Sequence, residues 1–280
     1  MLKKLLKYDM RAVFKVWWIG ALISVASAIL GGVLSQIAGT IPPKTENVIL
    51  GLIRTFCLFT AVICGLTLAL SLVLTVVLTI IRLYRHFFTD EGYLTFTLPV
   101  SRRTLLFSKT LNAFIWYSLH IIIFFFSALL FWELATPKED IFLNFFSLID
   151  WIFEFFWDEL GAWLIVYTVE AILLPIVSLL LSITLIHFCT TFASVLLKKA
   201  RGIAGVGIFY ALTSTFSLIG QLTLYIFGFA FISASPELLA GQESASVALL
   251  LLITIAVIAA ISAILYSVTQ LLLDRKLNLA

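Results

Sequence analysis

Charge is what this chain has least of. Of 280 residues only 12% are Asp, Glu, Lys or Arg, while 62% are apolar; a soluble domain carries about 25% charged and roughly 45–50% apolar residues. So few charges cannot give so much apolar mass a wettable surface, which excludes a soluble globular enzyme. Three cysteines exclude a disulfide scaffold, and Cys57, Cys64 and Cys189 all fall inside apolar runs. Gly and Pro, at 14 and 6 residues, are too sparse for a collagen-like or low-complexity chain. His86, His120 and His187 are widely separated and offer no zinc-ligand spacing. No Walker-type phosphate loop, no H-E-x-x-H and no G-x-S-x-G occurs. Neither a catalytic centre nor a metal or cofactor site is therefore expected in this chain.

Long apolar runs are what it has instead. A helix needs about 20 mostly apolar residues to cross roughly 30 Å of hydrocarbon. Six stretches satisfy this: 16–39, 50–81, 110–134, 161–188, 203–233 and 247–273. They are continuous rather than alternating, which excludes a β-barrel. The fold class read from the sequence is an all-α integral membrane protein with six transmembrane helices.

Basic residues set the orientation, because short cytoplasmic loops concentrate Lys and Arg. With both termini inside, 15 of the 18 basic residues fall on the inner side, and only Lys44, Arg54 and Lys138 lie on or toward the outside. N-in and C-in is the expected topology. Ala26-Ser27-Ala28 imitates a signal cleavage site, but the charged region before it spans 15 residues and the apolar run continues through Leu34. The first span is therefore expected to be retained.

Two amphipathic segments are expected not to cross. In 1–15, Lys4, Lys7, Arg11 and Lys15 share one helical face and Leu2, Leu5, Leu6, Met10, Val13 and Phe14 the other. That pattern suits a cytoplasmic helix lying in the plane of the inner leaflet, ahead of the transmembrane domain 16–280. In the outer segment 135–160, Asn144, Ser147, Asp150, Glu154 and Asp158 recur every three or four residues as one polar stripe among aromatic side chains. A seventh span here would bury Asp150 and Glu154 in lipid at about 3 kcal/mol each. An outer-leaflet amphipathic helix is expected instead, either a plain anchor or a capture surface for an amphipathic or cationic substrate.

Ionisable residues within spans are costly and mark candidate functional positions. Arg54 and Glu170 lie near the outer ends of the second and fourth spans, at depths where they could pair or line a path, and His120 lies deep in the third. Pro175 sits inside the fourth span and is expected to kink it.

The cytoplasmic segment 82–110 joins the second and third spans. Thr89 is placed to cap a short helix with Asp90 and Glu91 in its first turn, Gly92 to support a turn, and Ser101 to cap the run that enters the third span. Tyr93, Phe96 and Leu98 are apolar groups rimmed by charge, a pattern suited to docking another protein.

The stretch from Phe87 to Lys109, FFTDEGYLTFTLPVSRRTLLFSK, resembles the permease subunits of ABC-2 type ATP-binding-cassette transporters from Gram-positive bacteria. The basic helix before the first span and the six-span pattern agree with the same family. The resemblance implies a permease in the bacterial cell membrane, paired with a second permease copy, identical or different, and with two copies of a separate ATPase. ATP and Mg would be held by that ATPase, not by this chain. Thr89, Asp90, Glu91, Gly92, Tyr93 and Phe96 would form the coupling helix that engages it. The cargo implied is a peptide, a lipid or a hydrophobic drug. The long acidic, aromatic outer segment between spans three and four departs from the better-known relatives. Two other classes fit the same composition: a membrane protein for antimicrobial-peptide immunity or sensing, and an ion-coupled secondary transporter using Glu170 or His120. Lipid is a partner in each case, and nucleic acid in none.

Overall fold

A computed structural model describes residues 2–89, 92, 97, 99–136, 147, 150, 154, 163–196, 207, 209–215, 217–218, 221 and 243–276. Five long helices carry the architecture: α1 (Leu2–Thr40), α2 (Val48–Phe88), α3 (Arg102–Ala135), α4 (Trp163–Leu196) and α5 (Glu243–Lys276). No strand occurs among the described residues, and each of the five helices is long and apolar enough to cross a membrane. Residues 209–215 are also helical and fall in the expected fifth span, most of which lies outside the described residues.

Helix ends follow from local chemistry. Asn47 opens α2: its Oδ1 accepts the N–H groups of Ile49 at 3.0 Å and Leu50 at 3.4 Å. Ser101 opens α3 as expected, with the Thr104 N–H donating to its Oγ at 3.3 Å. α1 departs from expectation. The basic segment 2–15 and the first apolar run form one uninterrupted helix of 39 residues rather than two elements. The joint, Val16-Trp17-Trp18-Ile19, holds no Gly, Pro or Asn at which a helix could turn. α2 is also longer than its apolar core, with 41 residues reaching about 61 Å against roughly 30 Å of hydrocarbon. α4 runs through Pro175 without a break.

The chain divides into two compact units. One comprises residues 3–79 and 115–154: nearly all of α1, most of α2 and the second part of α3. Its core is built on small residues. Gly20, Ser24, Ala28, Gly31 and Ala38 are buried along α1, and Cys57, Ala61, Leu68, Ser71 and Thr75 along α2. Between apolar helices in lipid, such residues allow close backbone approach. A Cβ on Gly32 would lie 2.6 Å from Leu134 Cβ and 2.8 Å from the Phe131 carbonyl oxygen. One on Gly31 would meet Cys64 Cβ at 2.8 Å.

The second unit comprises residues 1–2, 80–114 and 155–280. In it α4 and α5 pack against each other. Its buried apolar residues include Phe87 of α2, Leu105 and Leu106 of α3, Ile183 and Ile186 of α4 and Leu273 of α5. Cys57, Cys64 and Cys189 are free thiols, as their placement in spans implies.

Candidate functional site: a hydroxyl-lined groove and the hairpin between α2 and α3

The second unit holds two adjoining cavities of about 220 and 280 Å³ that share Ser178 and Gln221. The reason lies in helical spacing. Leu174, Ser178, Ser182 and Leu185 share one face of α4, and Tyr210, Ser214, Ser217 and Gln221, spaced by four, three and four, fall on one face of a helix. α5 closes the other side with Leu250, Thr254 and Ile258. Several hydroxyl protons are already committed within their helices: Ser182 Oγ donates to the Ser178 carbonyl at 3.0 Å and Thr254 Oγ1 to that of Leu250 at 2.9 Å. Among the described residues the groove therefore presents hydroxyls and one amide, and no charged side chain lines it. Sequence reading missed it, although the spacing of Tyr210, Ser214, Ser217 and Gln221 was there to find.

Glu170 stands one helical turn before Leu174 on the same side of α4, since residues four apart lie 40° apart around a helix. It is buried, and neither carboxylate oxygen has a hydrogen-bond partner among the described residues. Tyr167, one turn earlier, is its electrostatic neighbour. Arg54 lies in the other unit, half-buried, with no partner for Nε among the described residues.

His120 belongs to the first unit and is buried where α1, α2 and α3 meet. Its Nε2 lies 3.1 Å from Ser71 Oγ, whose proton goes to the Leu68 carbonyl at 2.6 Å. The two side chains are thus hydrogen-bonded, and Nδ1 has no partner among the described residues. Trp17 meets the ring edge-on at 5.9 Å and packs on Trp116 at 4.6 Å. This is a ring-packed arrangement that joins α1, α2 and α3.

His187 shows the same device in the second unit. Thr110 Oγ1 lies 3.1 Å from the Leu106 carbonyl and 3.2 Å from His187 Nδ1, so one hydroxyl serves both its own helix and the imidazole. Lys109, also buried, is its electrostatic neighbour. No sequence pattern signals this meeting between residues so far apart in the chain.

At the hairpin, Thr89 directly follows the last residue of α2. Its Oγ1 donates back to the Arg85 carbonyl at 2.6 Å, so it finishes α2. The Gly92 N–H then donates to the Thr89 carbonyl at 2.7 Å, and Gly92 is pressed on the helix end. A Cβ there would lie 2.8 Å from the Phe87 carbonyl oxygen, which explains the glycine. Asp90, Glu91, Tyr93 and Phe96 lie outside the described residues. Past Ser101, Arg102 Nη1 donates to the carbonyls of Leu273 and Asp274, the latter at 3.3 Å, and so ties the start of α3 to the end of α5.

In the outer segment, Ser147, Asp150 and Glu154 are helical and exposed, as the polar stripe requires. Asn144 and Asp158 lie outside the described residues. Among the described residues no group of His, Cys, Asp or Glu is arranged to hold a metal ion. Compared with protein-family models, curated proteins and solved structures, the chain matches none.

Proposed function

We propose that this chain is the transmembrane subunit of an ATP-driven ABC-2 type exporter in the bacterial cell membrane, with six spans and both termini in the cytoplasm. One observation carries the reading: the segment that bears the family resemblance follows a stiff helix twice as long as the hydrocarbon is thick, and the turn at Thr89–Gly92 is locked onto that helix. A lever needs such a rigid end. A separate ATPase, two copies per complex and holding ATP and Mg, engages Thr89 to Phe96. A second permease, identical or different, completes the path.

Closure of the ATPases on ATP displaces the hairpin. Arg102 passes that displacement to the end of α5, which lines the groove with α4. The groove's uncharged hydroxyl lining suits an amphipathic cargo such as a peptide, a lipid or a hydrophobic drug. The acidic stripe, of which Asp150 and Glu154 are exposed, favours a cationic portion of it.

The test is site-specific crosslinking from position 93 in intact cells, combined with the substitutions Glu91→Ala and Tyr93→Ala. The expected result is a crosslink to a nucleotide-hydrolysing protein, and loss of cargo-stimulated ATP hydrolysis in both variants while membrane insertion is normal. No such crosslink, with cargo handling intact in the variants, removes the exporter reading.

A further inference from the structure

A third cavity, of about 340 Å³, opens in the second unit between the first turns of α3 and the last turns of α5. It is lined by Leu2, Arg103, Thr104, Phe107, Tyr266 and Gln270. Arg103 and Phe107 are four residues apart on α3, and Tyr266 and Gln270 four apart on α5, so each helix offers one face to it. The chemistry is split: a guanidinium, a phenol, a hydroxyl and an amide on one hand, Leu2 and Phe107 on the other.

Its electrostatics follow from the two helix ends beside it. The N-terminus of α3 carries partial positive charge and the C-terminus of α5 partial negative charge. Arg102 donates to the Leu273 and Asp274 carbonyls and so offsets the α5 end. Arg103 is left exposed, with no hydrogen bond to a described residue. The acid nearest in sequence on α5 is Asp274, one turn beyond Gln270, with its Oδ2 3.5 Å from Gln270 Nε2. The crevice is therefore net positive.

Its depth is also fixed by sequence. The apolar run of α5 ends at Asp274, Arg275 and Lys276, and α3 begins with Arg102 and Arg103 before its apolar run. Arg103 and Gln270 thus stand toward the headgroup level and Tyr266 one turn deeper, near the interface where Tyr and Arg side chains are favoured.

We propose that this crevice binds an anionic phospholipid, its phosphate on Arg103, Thr104 and the Tyr266 hydroxyl and the start of its acyl chain along Phe107 and Leu2. The inference stands whether or not the chain is an exporter. A phospholipid is favoured over a free phosphate because a soluble ligand gains nothing from the apolar half of the lining.

The experiment uses the full chain purified in neutral detergent, with its unfolding temperature followed as phosphatidylglycerol, phosphatidylcholine or glycerol 3-phosphate is titrated in. Phosphatidylglycerol raises the unfolding temperature of the wild type, and the other two at equal concentration do not. In Arg103→Gln the half-effect needs about tenfold more phosphatidylglycerol, as expected for loss of one charge-assisted contact. Lys4→Gln, a basic residue of the other unit, leaves the titration unchanged. Equal loss in the two variants shows diffuse surface charge, an equal effect of phosphatidylcholine shows general lipid solvation, and an equal effect of glycerol 3-phosphate shows a free-phosphate site; each overturns the proposal. Should Arg103→Gln not fold, Tyr266→Phe combined with Gln270→Leu is read in its place against the same outcomes.

Discussion

Thr110 Oγ1 and His187 Nδ1 lie 3.2 Å apart, joining α3 to α4 across a buried layer. The Thr110 hydroxyl is the hydrogen-bond partner of Nδ1, and Nε2 has none among the described residues. Thr110→Val leaves a buried ring nitrogen unsatisfied and costs about 1–3 kcal/mol, whereas Thr110→Ser costs less. Thermal unfolding in detergent reads the difference. Equal loss in the two variants would show that the methyl, not the hydroxyl, holds the layer.

The glycines of α1 and α2 should separate by sign. Gly32→Ala drives a methyl into Leu134 and the Phe131 carbonyl and is expected to destabilise by about 1–3 kcal/mol. Around Gly65 nothing lies within 4 Å of a new methyl, so Gly65→Ala gains about 0.5–1 kcal/mol from helix propensity alone. The same melting measurement compares the two.

Glu170 discriminates between a structural and a pathway role. A carboxylate that bound helices together through a partner would be missed when replaced. With no described partner on either oxygen, Glu170→Gln is expected to leave the unfolding temperature unchanged or higher. Under the exporter reading the same variant loses cargo movement in vesicles. A clear drop in stability would mean that a partner exists and that the residue is structural.

Arg102 fastens two helix ends, and its removal should be felt at the far one. In Arg102→Gln, amide exchange in the last turn of α5 is expected to quicken, since the Leu273 and Asp274 carbonyls lose a charged donor worth about 1.5–3 kcal/mol. Exchange in α1 should not change. Mass-resolved hydrogen exchange on the full chain checks both at once.

The proposed orientation puts Glu154 outside. A single cysteine at that exposed position, introduced after Cys57, Cys64 and Cys189 are replaced by Ala, is expected to react with a membrane-impermeant maleimide on intact cells. A cysteine at Thr89 is expected to react only after permeabilisation. The reverse pattern would invert the topology.

Helix existence was legible wherever the signal is local. Ser101 as the cap of α3, the long apolar runs and the polar stripe through Asp150 and Glu154 all depend on residues within a few positions of one another. A threonine at a helix boundary can serve either neighbour, and only the backbone path shows that the Thr89 hydroxyl turns back to Arg85. The joint at Val16 to Ile19 was read as a border because composition changes there, yet a change of composition is no reason for a helix to stop. The groove went unseen because single serines in a span look unremarkable until two faces are set opposite each other.

Hydropathy is summed along the chain, so the sequence by itself determined that this protein lives in lipid, that it is built of helices and roughly where they run. Which polar groups then meet is a matter of helix rotation and approach, set by side-chain volumes several helices apart. Only the tertiary structure could join His187 to Thr110, His120 to Ser71 and Arg102 to the end of α5, because contacts between residues tens of positions apart leave no period in the sequence.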